Sequence, residues 1–270
     1  MTGADRYRAM FESLAARGEG AFVPFLVLGD PDPATSLALV RALVRGGADA
    51  LELGLPFSDP IADGPVIQAA ATRALANGVR IADGWAIVAQ MRREHPAIPI
   101  GLLVYANLVL HDGADAFFAQ AAAAGVDSVL VADAPLLERG PLAAAAQAHG
   151  IALVGIAPPN ADAARLAAIA RASQGYVYVT SRPGVTGADQ QLHDGSAGLI
   201  RQLRALGAAP PMLGFGIGTP AQVREAIALG AAGAIAGSAV VRHVEQHPPG
   251  PALVAAVERF VADMKAATRG

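Results

Sequence analysis

Gly46-Gly47-Ala48-Asp49-Ala50-Leu51-Glu52-Leu53-Gly54 puts a helix end, a strand and an acid inside one short run of the chain. The paired glycines stop a helix that starts at Asp32-Pro33, an N-cap followed by proline at the first helical position. Beyond them comes a short apolar strand, and Ala21 to Leu28 upstream reads as another. A β-α-β unit is therefore complete by Gly54. The same order recurs: a glycine after a helix, a small or acidic residue, five or six apolar residues, then polar punctuation. It appears at Gly125 to Asp133, Gly150 to Ile156, Gly175 to Thr180 and Gly230 to Gly237, and strands at Ile98 to Val104 and Pro211 to Phe215 bring the count to eight.

Helical periodicity fills the intervals: Val66 to Asn77, Ile81 to Glu94, Ala114 to Ala124, Glu138 to Ala148, Asp162 to Ala172, Ser196 to Leu206, Pro220 to Leu229 and Ala252 to Ala266. Thr219-Pro220-Ala221-Gln222 spells a capping box. An amphipathic helix leads within Met1 to Gly20, and Ser238 opens a short extra helix to Gln246. Alternating strands and helices require a parallel sheet. Eight units predict one (β/α)8 TIM barrel domain over residues 1–270, with an open doubly wound sheet as the alternative.

Composition narrows the chemistry. With no Cys there is no disulfide, thiolate metal site or cysteine nucleophile. Nineteen arginines accompany a single lysine, Lys265, which argues against a lysine Schiff base and a pyridoxal cofactor held by this chain. A net charge of −3 and a pI near 6.1 leave no footprint for nucleic acid or an anionic membrane. No run reads as a membrane span or signal peptide, so cytoplasmic localisation is expected. Of the six histidines only His243 and His247 share a helical face, and they read as surface residues rather than a metal site.

In a barrel the functional residues sit where strands end. Strand alternation turns Glu52 inward with Ala50 and Gly54, where burial raises a carboxyl pKa toward neutrality and suits it to proton transfer. Its structural alternative is an acid paired with an arginine. Asp63, just before Gly64-Pro65, reads either as a second active-site acid or as a helix cap. Asp59 lies on the same loop. Tyr178 shares an inward face with Tyr176 and Thr180, as filler or as a site residue. Glycine clusters follow the last three strands: Arg182-Pro183-Gly184-Val185-Thr186-Gly187, Gly214-Phe215-Gly216-Ile217-Gly218 and Gly237-Ser238. Backbone amides there, with the start of the extra helix, form a phosphate cradle. The long segments Leu55 to Gly64 and Ser181 to Gly195 are candidate lids.

The stretch Leu-Glu-Leu-Gly-Leu-Pro-Phe-Ser-Asp-Pro-Ile-Ala-Asp-Gly, residues 51–64, resembles the signature of tryptophan synthase alpha chains. The resemblance spans nearly the whole chain, through Ala21 to Pro31, Ile100 to Leu108, Val126 to Pro135, Pro158-Pro159-Asn160, Ser181 to Gly187 and Gly214 to Ile217. It implies cleavage of indole-3-glycerol phosphate to indole and glyceraldehyde 3-phosphate, with no cofactor in this chain. Glu52 is then the general acid/base, Asp63 the group that holds the ring N–H, and Tyr178 a supporting tyrosine. Gly184, Gly216, Gly237 and Ser238 take the phosphate, while Phe22, Leu103, Tyr105, Ala132 and Ile156 line the indole pocket. Arg182 and Thr186 belong to a lid in which Pro183 is a stiffening variation. Pro56 and Asp59 face a pyridoxal-phosphate-dependent beta chain in an alpha2-beta2 heterotetramer. A stand-alone lyase releasing free indole, a sugar-phosphate isomerase and a non-catalytic partner are the other readings.

Overall fold

The structure, a computed structural model, describes residues 2–180 and 195–269. Its strands are β1 (Ala21–Val27), β2 (Leu51–Gly54), β3 (Ile100–Val104), β4 (Ser128–Val131), β5 (Ala152–Leu153), β6 (Gly155–Ala157), β7 (Val177–Thr180), β8 (Pro211–Gly214) and β9 (Gly233–Ala236). All pairings are parallel, in the order β5-β4-β3-β2-β1-β9-β8-β7-β6. The two ends of that order, β5 and β6, are chain neighbours separated only by Val154. The sheet is therefore a ring that closes through one interrupted strand, and the open-sheet alternative fails. The interruption has a local cause: the first half of this strand pairs with β4 and the second half with β7, so Val154 is where it changes neighbours.

The helices are α1 (Gly3–Ala16), α2 (Pro33–Arg45), α3 (Pro65–Ala76), α4 (Ile81–Glu94), α5 (Ala106–Leu110), α6 (Ala114–Ala124), α7 (Gly140–Ala148), α8 (Ala163–Ala172), α9 (Gly195–Ala205), α10 (Pro220–Ala228), α11 (Ser238–Gln246) and α12 (Pro251–Ala266). Asp32 caps α2 and Thr219 caps α10 through their side chains, as their positions predict. The capping box at Thr219 is displaced by one residue, because Gln222 Oε1 accepts from Gly218 N at 2.9 Å. Glu138 falls in a 3-10 turn (Leu136–Glu138), and α7 starts two residues later, where Pro141 sets the first turn. Five-residue α5 is too short to leave a periodic signal in the sequence.

Alternation divides the apolar residues into two layers. Leu51, Leu53, Ile100, Leu102, Val177 and Val179 pack outward against the helices, whereas Ala21, Val23, Leu130, Tyr176, Tyr178 and Ile235 fill the barrel. Helix α1 closes one end by inserting Tyr7 and Leu14 into that inner cluster. Lys265 of α12 ties the start of β1 to its surroundings: Nζ lies 3.1 Å from Glu19 and 3.0 Å from Asp49, and donates to Gly20 O at 3.2 Å. Lys265→Ala would remove the cation shared by Glu19 and Asp49; Glu19 keeps Arg17 at 3.5 Å and Arg269 at 3.2 Å, so the loss falls mainly on Asp49, whose side chain is 11% exposed. The expected result is a lower urea midpoint with an unchanged m-value.

Candidate active site

Gly54 ends β2 and the chain loops through Pro60 to Asp63 before α3 begins. Glu52 lies inside the barrel, 2% exposed, and the Tyr176 hydroxyl donates to its Oε1 at 2.7 Å. Burial pushes its pKa up to about 7; the Tyr176 bond opposes that shift and the charge of Asp63 adds to it. Asp63 is also buried, 7% exposed, and burial lifts it to about 6 against the hydrogen bond donated by Tyr105 Oη to Oδ2 at 2.8 Å. Gly64, not Asp63, is the N-cap of α3, and no side chain caps that helix. The helix-cap reading of Asp63 is thereby removed.

Both carboxyls line one cavity, together with Phe25, Leu103, Tyr178, Phe215, Gly216 and Ser238 among others. Burial holds the Tyr178 hydroxyl far above the usual tyrosine range, with the charges of Glu52 and Asp63 adding, so it remains a proton donor. A Cβ on Gly214 would come within 2.2 Å of Tyr178 Oη, so only glycine lets the ring lie across β8. The following turn is strained: Phe215 has φ 65° and Gly216 φ 81°, and a bulky residue at positive φ is rare outside sites that use it. That turn and the N-terminus of α11, where Gly237 is the cap and Ser238 the first residue, approach the cavity from one side. Helix-terminal N–H groups facing a cavity suit an anion.

A second compartment, lined by Phe57, Pro60, Asp63, Leu103 and Tyr105, adjoins the first. There Phe57 stacks on Tyr105 with centroids 5.3 Å apart. Tyr105→Phe removes the bond that opposes the rise in Asp63, so this carboxyl is expected to titrate above 6; carbon-detected NMR of the Asp63 carboxyl would follow the shift.

Several expected positions shift. Phe22 does not line the cavity: it belongs to the outer layer with Leu26 and Leu28, because its parity on β1 is opposite to that of Phe25, which takes the pocket position. Ala132 and Ile156 pack against the inner cluster, yet they border a separate cavity beyond β4. Pro56 is buried in its own chain, while Asp59 is exposed beside Ile61, a large apolar side chain left 73% exposed. Arg182, Pro183, Gly184 and Thr186 lie outside the described residues. His243 is half-buried rather than at the surface, its ring 5.0 Å from Phe260. Sequence reasoning did not single out Tyr176, Phe25, Ile67 or Phe215, although the parity shared with Tyr178 or Val23 marks the first two as inward. Among the described residues no three His, Asp or Glu side chains are grouped to hold a metal ion, and no helix is long and apolar enough to cross a membrane.

A family model described as the tryptophan synthase alpha chain matches residues 11–269. A tryptophan synthase alpha chain of Serratia proteamaculans (strain 568) is 53% identical over 266 residues, covering 98% of this chain and 99% of that one. One of Shewanella oneidensis is 54% identical over 266 residues, covering 98% and 96%. Among solved structures, tryptophan synthase of Mycobacterium tuberculosis superimposes with a TM-score of 0.89 at 33% identity, covering 98% of each chain. Tryptophan synthase subunit alpha of Legionella pneumophila gives 0.84 at 32% identity, covering 99% and 98%.

Proposed function

The chain belongs to the tryptophan synthase alpha chain family, and from that premise we propose that its barrel cavity cleaves indole-3-glycerol phosphate to indole and glyceraldehyde 3-phosphate. Membership carries a subunit role in tryptophan biosynthesis and a lyase reaction. The observation that carries the finer reading is one cavity holding two carboxyls whose pKa values are about 7 and about 6, beside a glycine turn and a helix N-terminus.

At a pH between those values Asp63 is ionised and Glu52 retains its proton, which is the division of labour a retro-aldol cleavage needs. The phosphate rests on the amides of Gly216 and Gly237, the Ser238 end of α11, and Gly184. The indole lies against Leu103 and Tyr105, with Phe25 replacing Phe22 and with Ala132 and Ile156 left to the separate cavity beyond β4. Glu52 gives its proton to C3 of the indole, and the ring nitrogen becomes positive; Asp63 accepts the ring N–H and stabilises that charge. The Glu52 carboxylate then takes the proton from the glycerol hydroxyl next to the breaking carbon–carbon bond. The bonding electrons return to the indole, the hydroxyl carbon becomes the aldehyde, and Glu52 regains its starting form. Tyr178 supports the pair as a neutral hydroxyl, and Arg182 and Thr186 act in the lid.

No step calls for a cofactor in this chain. Its single lysine is engaged by Glu19 and Asp49. Pyridoxal phosphate would reside in a beta chain, the partner in an alpha2-beta2 assembly in the cytoplasm. Asp59 and the exposed Ile61 would meet that chain, with Pro56 shaping the loop from within. The stand-alone lyase reading is the less favoured one, since the named relatives are alpha chains. Indole release by the purified chain is the test: slow turnover alone and at least tenfold activation by a beta chain are expected. Fast turnover that a beta chain does not change would favour the stand-alone enzyme, and no turnover under either condition would defeat the proposal.

A further inference from the structure

The break at Val154 holds a cation that forms no ion pair among the described residues. Arg139, 7% exposed, follows the Leu136–Glu138 turn and enters the gap between β4 and β6. Nε donates to Ala134 O at 3.2 Å, Nη1 to Val154 O at 3.0 Å and Nη2 to Val131 O at 3.2 Å. These carbonyls lie where the interstrand ladder runs out, so the guanidinium supplies the donors that a neighbouring strand would have supplied. A guanidinium carries five N–H groups, and these three bonds leave two over. Burial alone displaces its pKa, downward, and no acid offsets it; the group stays protonated at neutral pH.

Arg139 lines the cavity of about 320 Å³ beyond β4, together with Arg165, Asp133 and the apolar Pro135, Leu136 and Ile169. Asp133 is partly committed, since its Oδ1 accepts from Ala106 N at 2.7 Å. Two guanidinium groups against one carboxylate leave the cavity one positive charge. Its volume falls within the range of small-ligand sites, and its lining is apolar apart from these polar groups, of which Arg165 is exposed.

We propose that this cavity binds a small organic monoanion, with a carboxylate between Arg139 and Arg165 and an apolar body against Pro135, Leu136 and Ile169. A single negative charge matches the excess, whereas a dianion would also face Asp133. Planar carboxylate recognition by a fork of N–H donors favours this anion chemistry. The site is separate from the catalytic carboxyls and does not depend on the reaction proposed above.

Benzoate titrated into the full chain, with ligand-observed NMR as the readout and neutral benzamide as its isostere, tests the inference. Saturable benzoate binding with half-saturation on the order of 1 mM is expected for a ligand of this size. Benzamide should bind at least tenfold more weakly. Arg165→Ala should weaken benzoate about tenfold, and Ala134→Leu, which adds bulk to a lining residue and keeps the Ala134 carbonyl that Arg139 Nε donates to, should abolish binding. The thermal unfolding midpoint of the same samples, followed by circular dichroism, tells a misfolded variant from an empty site. Absence of benzoate binding, equal binding of benzamide, or benzoate binding unmoved in both folded variants would overturn the proposal.

Discussion

Glu52→Gln is expected to lower kcat for indole release by about 10⁴-fold, the upper end of what one acid/base group contributes, because Glu52 carries both proton transfers. The amide matches the carboxyl in size and still accepts from Tyr176, so KM should change by less than about threefold. Stability provides an independent readout. The carboxyl titrates at about 7 in the folded chain against 4.5 when solvated, because burial favours its neutral form. A raised carboxyl pKa means that the folded state holds the proton longer. Its stabilising effect is complete below about 4.5 and is lost as pH rises to about 7, on the order of 3 kcal/mol in all. Glutamine has no proton to lose, so urea unfolding of the variant should fall less steeply between pH 5 and 8, and at pH 8 the variant should be at least as stable as the parent. Full activity in this variant would sink the mechanism, and a pH dependence of stability identical to the parent's would sink the burial account.

Asp63→Asn is expected to cut turnover by about 10²–10³-fold, the range seen when one preorganised stabilising group is removed. The charge is lost while the shape is kept, and Asn can still accept from Tyr105. Affinity for glyceraldehyde 3-phosphate, measured as product inhibition, should fall by less than about threefold, since the phosphate cradle lies on β8 and α11. The pH profile adds a second test. In the parent, kcat/KM should be bell-shaped, with limbs near 6 and 7 that belong to the coupled pair. In the variant the limb near 6 should vanish, and the limb of Glu52 should move lower because the neighbouring negative charge is gone. Collapse of phosphate affinity together with turnover would instead assign Asp63 a role in shaping the pocket.

The barrel was legible because its signals are local. Glycines at Gly47, Gly125, Gly150, Gly175 and Gly230, each preceding a strand, act through backbone conformation within a few residues. The inward setting of Glu52 and Tyr178 followed from a period of two, which needs no knowledge of neighbours. The same rule applied to β1 puts Phe25 inside and Phe22 outside. The assignment of Phe22 to the pocket came from resemblance and was corrected by parity.

What the chain alone determined is therefore the architecture, the absence of cysteine, the single lysine, and which acids face inward. Tertiary structure decided what those acids are. Glu52 is set near 7 by its burial, by a hydroxyl 124 residues away and by the charge of Asp63; Asp63 is set near 6 by its burial and a hydroxyl 42 residues away. It also decided that the ring closes through a break at Val154, with a buried guanidinium filling the gap. Periodicity and capping are properties of neighbouring residues along the chain, whereas desolvation and charge depend on everything packed around a group, and only the closed barrel brings that together.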